Sequence, residues 1–141
     1  MNEKWDYRFL ELADHIATWS KDPSTQVGAV IVNHNRRVVS LGYNGFPNRV
    51  EDLYCRLHTV KKYLYVSHAE RNALDSANAS VEGCTLYTTL KPCNECAKSI
   101  IQTGIARVVY WETDREDRFN WNITETMFSE SGVILHGLKR L

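Results

Sequence analysis

The 141-residue sequence has no net charge, with Lys plus Arg and Asp plus Glu at 17 each. Phosphate contacts dominate nucleic-acid affinity, so a dedicated nucleic-acid binder carries a basic excess; its absence here favours a small substrate. Long hydrophobic runs are missing as well. The N-terminus MNEKWDYRFL lacks the apolar stretch of a secretory leader, and no run approaches membrane-spanning length. The expectation is a cytoplasmic protein with no membrane partner. Proline (3) and glycine (7) are scarce and unclustered, and there is no repeat or low-complexity tract. A linker therefore has nowhere to fall, and residues 1–141 are expected to form a single domain. Cysteine is limited to Cys55, Cys84, Cys93 and Cys96. In a reducing compartment these read as thiols or metal ligands, not disulfides.

What is present is a regular alternation of patterns. Trp5, Phe9, Leu12, Ile16 and Trp19 recur at helical spacing and predict a first helix ending near Lys21-Asp22-Pro23. QVGAVIV and RVVSLGY, joined by Asn33-His34-Asn35-Arg36, predict an antiparallel hairpin. A helix is expected from about Ser67, carrying Ala69, Ala73, Leu74 and Ala77 inward. CTLYTTL reads as a strand, and Pro92 suits the first turn of a helix that ends before Gly104. ARVVYW is a further strand, Trp121 to Glu130 a last helix, and GVILHGL a closing strand. Between Pro47 and Tyr65 the one suggestion is a helical stripe of Leu53, Leu57 and Val60. Strands alternating with helices predict a three-layer α/β/α fold with a mixed five-stranded sheet and helices on both faces. Residues 84–111 should form a parallel, right-handed β-α-β crossover.

Two motifs carry chemistry. In VSHAER, His68 and Glu70 put an imidazole beside a carboxylate, although Ser67 to Glu70 also fits an S-x-x-E capping box. In KPCNECAK, Cys93 and Cys96 share a helix face at a helix start, where the macrodipole favours thiolates. Two thiolates and one imidazole make three ligands, the number that catalytic zinc uses while keeping a position open; structural zinc takes four. Glu70, not a ligand, would then move protons. A redox C-x-x-C pair and a zinc-stabilised binding module without catalysis are the competing readings.

H-A-E followed by P-C-x-x-C resembles the signature of zinc deaminases that act on cytosine or adenine. SKDPSTQVGAVIV, GYNGFP, HAERNA and TLKPCNECAKSIIQTGI together are similar to the deoxycytidylate (dCMP) deaminases, from about Ser20 to Tyr110. The resemblance implies a cytidine-deaminase-like fold and hydrolytic conversion of dCMP to dUMP and ammonia, a supply of dUMP for thymidylate synthesis. His68, Cys93 and Cys96 would hold one Zn2+ per chain, and Glu70 would be the proton shuttle. Cys55 and His58 alone are too few for a second zinc site. For substrate binding the candidates are Asn44 on the sugar, Lys21 on the phosphate, Ala69, and Tyr43 and Phe119 for stacking. Lys91, Arg115 and Arg118 are further candidate phosphate cations. The resemblance also implies a homo-oligomer, a hexamer, activated by dCTP and inhibited by dTTP, with Mg2+ accompanying the triphosphate. Gly42, Tyr43, Asn44, Gly45 and Phe46 match the segment linked to that regulatory site, the two glycines letting backbone N–H groups approach phosphates. A deaminase of tRNA or other nucleic acid, using the same zinc site, is the alternative within enzymes.

Overall fold

The computed structural model describes residues 3–115 and 119–141. The chain runs α1 (Glu3–Ala17), β1 (Gly28–Val32), β2 (Val38–Tyr43), α2 (Tyr54–Leu57), α3 (Lys62–Tyr65), α4 (Ala69–Ser76), β3 (Thr85–Thr88), α5 (Asn94–Gln102), β4 (Arg107–Trp111), α6 (Trp121–Ser131) and β5 (Ile134–Leu138). The strands form one sheet in the order β2-β1-β3-β4-β5. β1 is antiparallel to both β2 and β3, while β3, β4 and β5 are mutually parallel. The sheet is thus mixed, as expected.

Period-two alternation decides which side each helix covers. Ala29, Ile31, Leu86 and Val108 face one way and pack with Ala69 and Ala73 of α4, Ala97 and Ile100 of α5, and Phe128 of α6. Their sequence neighbours Val30, Val32, Tyr87 and Val109 face the other way, against Phe9, Leu10, Ala13 and Ile16 of α1. The result, among the described residues, is three layers, with α1 on one side of the sheet and α4, α5 and α6 on the other. A buried ion pair ties α1 to the sheet: Arg107 Nη2 of β4 donates to Asp6 Oδ1 at 2.8 Å, and the Tyr87 hydroxyl donates to the same oxygen at 2.7 Å.

Three local expectations need correction. The first helix stops at Ala17, because Thr18, Trp19 and Ser20 turn their N–H groups onto the carbonyls three residues back. Trp19 therefore leaves the helix and lies half-exposed against the edges of His15 and Tyr43. Pro92 does not occupy the first turn of α5. Cys93 is the N-cap, extended at ψ 168, and Pro92 precedes it, its carbonyl accepting from Thr124 Oγ1 at 3.0 Å. The Leu53, Leu57 and Val60 stripe does not form, since that segment breaks into the two single-turn helices α2 and α3. Leu53 and Val60 are exposed. Gly104, at φ +83, does end α5 in the left-handed conformation that glycine adopts at low cost.

Candidate active site

Two helices begin at the same place for the same reason. His68 is the N-cap of α4 (φ −72, ψ 155) and Cys93 the N-cap of α5 (φ −72, ψ 168). Each helix start leaves backbone N–H groups unpaired and presents the positive end of its dipole. The Cys93 sulfur accepts one such donor, the N–H of Cys96, at 3.4 Å. The S-x-x-E capping box is absent, because the helix starts one residue later than that motif requires. Ser67 instead exchanges backbone hydrogen bonds with Gly45, at 2.8 and 3.1 Å. Glu70 is thereby left on the second residue of α4, without the bond back to Ser67 that a capping box would need.

The sulfurs of Cys93 and Cys96 lie 3.4 and 3.3 Å from His68 Nδ1. With Zn–S bonds of about 2.3 Å and a Zn–N bond of about 2.0 Å, a tetrahedral centre places sulfur and nitrogen about 3.5 Å apart. The cluster therefore fits zinc. It is the one His/Cys/Asp/Glu cluster of metal-binding geometry among the described residues, its ligand atoms all within 4.8 Å of one another. Contact with the Cys96 thiol, then with His68, draws the Cys93 thiol well below its usual pKa, and the Cys93 sulfur in turn raises His68.

Glu70 lies beside the cluster, 4% exposed. Burial above all raises its carboxyl to about 6, against the opposing pull of His68. The buried Thr88 hydroxyl, at the end of β3, is 3.4 Å from Glu70 Oε1 and donates to the Leu90 carbonyl at 3.0 Å. Given instead to Glu70 Oε1, the same hydroxyl proton holds the ionised carboxylate.

The site opens into a cavity of about 580 Å³, a size that suits a nucleotide-sized ligand. His68, Ala69, Glu70 and Cys93 line it, as do Asn44 and Phe119. Asn44 is buried; its Oδ1 accepts from the Val27 N–H and its Nδ2 donates to the Thr25 carbonyl, both at 2.8 Å. One amide hydrogen and one lone pair are left over by that count.

Among the candidate cations, Lys91 and Arg115 line the cavity and Lys21 does not. Lys21 projects into solvent and pairs with Asp52 at 2.8 Å, because the turn after α1 points it away from the opening. Lys91 is paired with Glu125. Arg115 donates to Thr25 Oγ1 at 3.3 Å and has no ion pair among the described residues. Arg118 lies outside the described residues. Lys62, which the sequence reading did not single out, lines the cavity and is buried. It stands in the segment whose apolar pattern is irregular, so periodicity gave no signal for it.

The GYNGFP segment is held by packing and by backbone hydrogen bonds. Tyr43 and Phe46 lie outside the cavity lining; Tyr43 meets Trp19 edge-on and Phe46 packs on Tyr65. The N–H of Asn44 donates to the Val27 carbonyl and that of Gly45 to Ser67, so neither amide is free for a phosphate. Gly42 faces α4: a Cβ there would sit 2.5 Å from the Ala73 nitrogen and 2.6 Å from the Ala69 oxygen. It is a packing glycine that lets the site helix lie close on β2.

Residues 3–112 match the family model for the cytidine and deoxycytidylate deaminase zinc-binding region. An uncharacterized deaminase of Aliivibrio fischeri is 44% identical over 137 residues, covering 94% of this chain and 92% of that protein. The deoxycytidylate deaminases of Mus musculus and Homo sapiens are 43% and 41% identical, with 92% of this chain and 77% of each relative aligned. The crystal structure of the dCMP deaminase of cyanophage S-TIM5 in complex with dCMP and dUMP superposes with a TM-score of 0.80 at 25% identity, over 98% of this chain and 99% of that one. Its apo form gives 0.79 at 27% identity, over 98% and 100%.

Proposed function

The chain belongs to the cytidine and deoxycytidylate deaminase zinc-binding family, and on that premise we propose that it hydrolyses dCMP to dUMP and ammonia. The observation that carries this reading is the buried Glu70 beside a His/Cys/Cys cluster, inside a cavity of nucleotide size. The likeness to deoxycytidylate deaminases over most of the chain supports the substrate.

His68, Cys93 and Cys96 would hold one zinc ion. Bound there, zinc supplies the Lewis acidity that makes water a nucleophile near neutral pH. Glu70 takes one proton from the attacking water and delivers it to N3 of cytosine; it then takes the second, from the hydroxyl now added at C4, and gives it to the amine as the C4–N bond breaks and ammonia leaves. Burial keeps that carboxyl away from bulk water, and the Thr88 hydroxyl holds it in place. Ala69, the first residue of α4, offers a backbone N–H that the helix leaves unpaired, a donor suited to a ring carbonyl. Asn44 grips the sugar with its remaining amide hydrogen. Arg115 at the cavity wall, unneutralised by a carboxylate among the described residues, takes the 5′-phosphate, and Phe119 flanks the base.

The proposal extends to a soluble cytoplasmic homo-oligomer, a hexamer, regulated by dCTP with Mg2+ and by dTTP. What supports it is the likeness of GYNGFP to the family's regulatory segment, and an exposed apolar face on residues 54–64. Tyr54, Val60, Tyr63 and Leu64 there are 71–85% exposed, more than a monomer ordinarily shows. Among the described residues, no helix is long and apolar enough to cross a membrane.

The test is loss of cytosine ultraviolet absorbance with dCMP, deoxycytidine and CMP in parallel, with and without dCTP and Mg2+. Turnover of dCMP well above the other two is the expected result. No turnover of any of them by zinc-loaded protein overturns the assignment and turns attention to an oligonucleotide.

A further inference from the structure

The apolar stripe expected between Pro47 and Tyr65 does not form, yet residues 54–66 deliver one side chain into the interior. Lys62 opens α3 and is 6% exposed. A buried ammonium is costly unless it is paired and hydrogen-bonded. Here both conditions are met by one loop: Nζ donates to Asp22 Oδ1 at 3.1 Å and to Ser24 Oγ at 2.6 Å. The two side chains of the ion pair are each 8% exposed, so solvent screens them little.

Asp22 then passes the constraint along the chain. The same Oδ1 accepts the N–H groups of Ser24 at 2.9 Å and Thr25 at 3.0 Å, folding the loop between α1 and β1 into an Asx turn. Burial by itself raises the Asp22 carboxyl, but those two N–H bonds and Lys62 outweigh it and hold the group below its ordinary value. Thr25 in turn offers its carbonyl to Asn44 Nδ2, and Asn44 Oδ1 accepts from Val27. The whole run, from Lys62 through Asp22, Ser24 and Thr25 to Asn44 and Val27, lines the cavity. At its other end α3 leads through Val66 and Ser67 directly to His68.

We propose that the buried Lys62–Asp22 pair is a clasp that positions the Thr25–Asn44 wall of the substrate cavity. It draws two segments 40 residues apart into one wall, and it acts on substrate binding and not on the proton transfers. Lys62 is accordingly a positioning residue, since its described polar partners are Asp22 and Ser24. The inference rests on the cavity being the dCMP site.

The experiment uses zinc-loaded full-length protein and three variants: Lys62→Met, Asp22→Asn, and the two combined. The combined variant leaves no unpaired buried charge, so it keeps the test alive if either single variant fails to fold. Two readouts are taken. Hydrogen exchange at the Ser24 and Thr25 amides, without substrate, reports whether the loop has come loose. Steady-state kinetics with dCMP report where the effect falls. The expected result is faster exchange at both amides, KM raised about tenfold, and kcat within about threefold of wild type, the signature of lost ground-state binding. Unchanged exchange with a raised KM overturns the clasp, because Lys62 would then be touching substrate itself. Faster exchange with unchanged KM overturns it too, since the loop would not set the site. Should wild-type protein fail to turn over dCMP, the substrate assignment falls separately, and wild-type exchange rates in the variants would still overturn the clasp.

Discussion

Replacing Gly42 with alanine tests the packing role that the structure gives a residue inside the GYNGFP motif. The added Cβ would stand 2.5 Å from the Ala73 nitrogen, 2.6 Å from the Ala69 oxygen and 3.0 Å from the Asn72 carbonyl carbon. Against an optimal non-bonded separation of about 3.5 Å, the overlap is roughly 1 Å. All three atoms are backbone of α4, so no rotamer change relieves the clash; the helix itself must move. Overpacking of this kind costs about 1–3 kcal/mol, and the upper end applies where backbone must shift. Reduced freedom of the unfolded chain returns about 0.4–1 kcal/mol. The net of roughly 2 kcal/mol corresponds to a fall in Tm of about 6–10 °C for a chain of this size. Because α4 carries Glu70, a displacement approaching 1 Å should also lower kcat by up to about 100-fold. Gly45→Ala is the control: its Cβ would meet nothing within 4 Å, and a surface change of that kind stays within about 0.5 kcal/mol. Thermal melting by circular dichroism, with zinc content and dCMP turnover on the same samples, reads all of this. A Gly42→Ala melt within 2 °C of wild type, at about a third of the smallest shift expected, would refute the packing argument. Intact melts in both variants combined with a lost dCTP response would show instead that these glycines serve a phosphate.

Other outcomes follow from the same geometry. Glu70→Gln should lower kcat by about 10³-fold, within the range of general acid–base catalysis, while zinc content and melting stay as in wild type; a rate within tenfold of wild type would sink the proton-shuttle role. Metal analysis should give one zinc per chain, since Cys55 and His58 have no cluster partners among the described residues, and a stoichiometry of two would overturn that. Chelation should abolish turnover, with full recovery on adding zinc. Asp6→Asn strips Arg107 of its buried partner and should cost about 3–5 kcal/mol at pH 7 in urea unfolding. Burial alone raises the Asp6 carboxyl, but hydrogen bonds from Arg107 and Tyr87 outweigh it and leave the group below its ordinary value. A depressed carboxylate contributes stability that is full above its unfolded pKa of about 3.9 and fades as pH falls through the folded value. The wild-type advantage should therefore hold above about pH 5 and shrink below pH 4, and a gap independent of pH would contradict the assignment.

Much of this protein was decided one segment at a time. Near-continuous apolar and β-branched runs in QVGAVIV, CTLYTTL and ARVVYW mark strands with two buried faces, and the structure covers both. H-A-E and P-C-x-x-C fixed the chemistry locally, because a ligand at a helix N-cap needs only a few neighbouring residues to set its backbone. Tertiary structure decided whatever depends on long loops closing. Lys21 and Lys62 are indistinguishable as isolated lysines, yet one points to solvent and the other is buried on Asp22, forty residues away along the chain. Gly42 reads as half of a turn motif until α4 is laid across it. Ser67 reads as a helix cap until Gly45 takes its backbone hydrogen bonds. In each case the deciding partner lies more than 20 residues away, and a contact at that range leaves no periodic trace in the sequence.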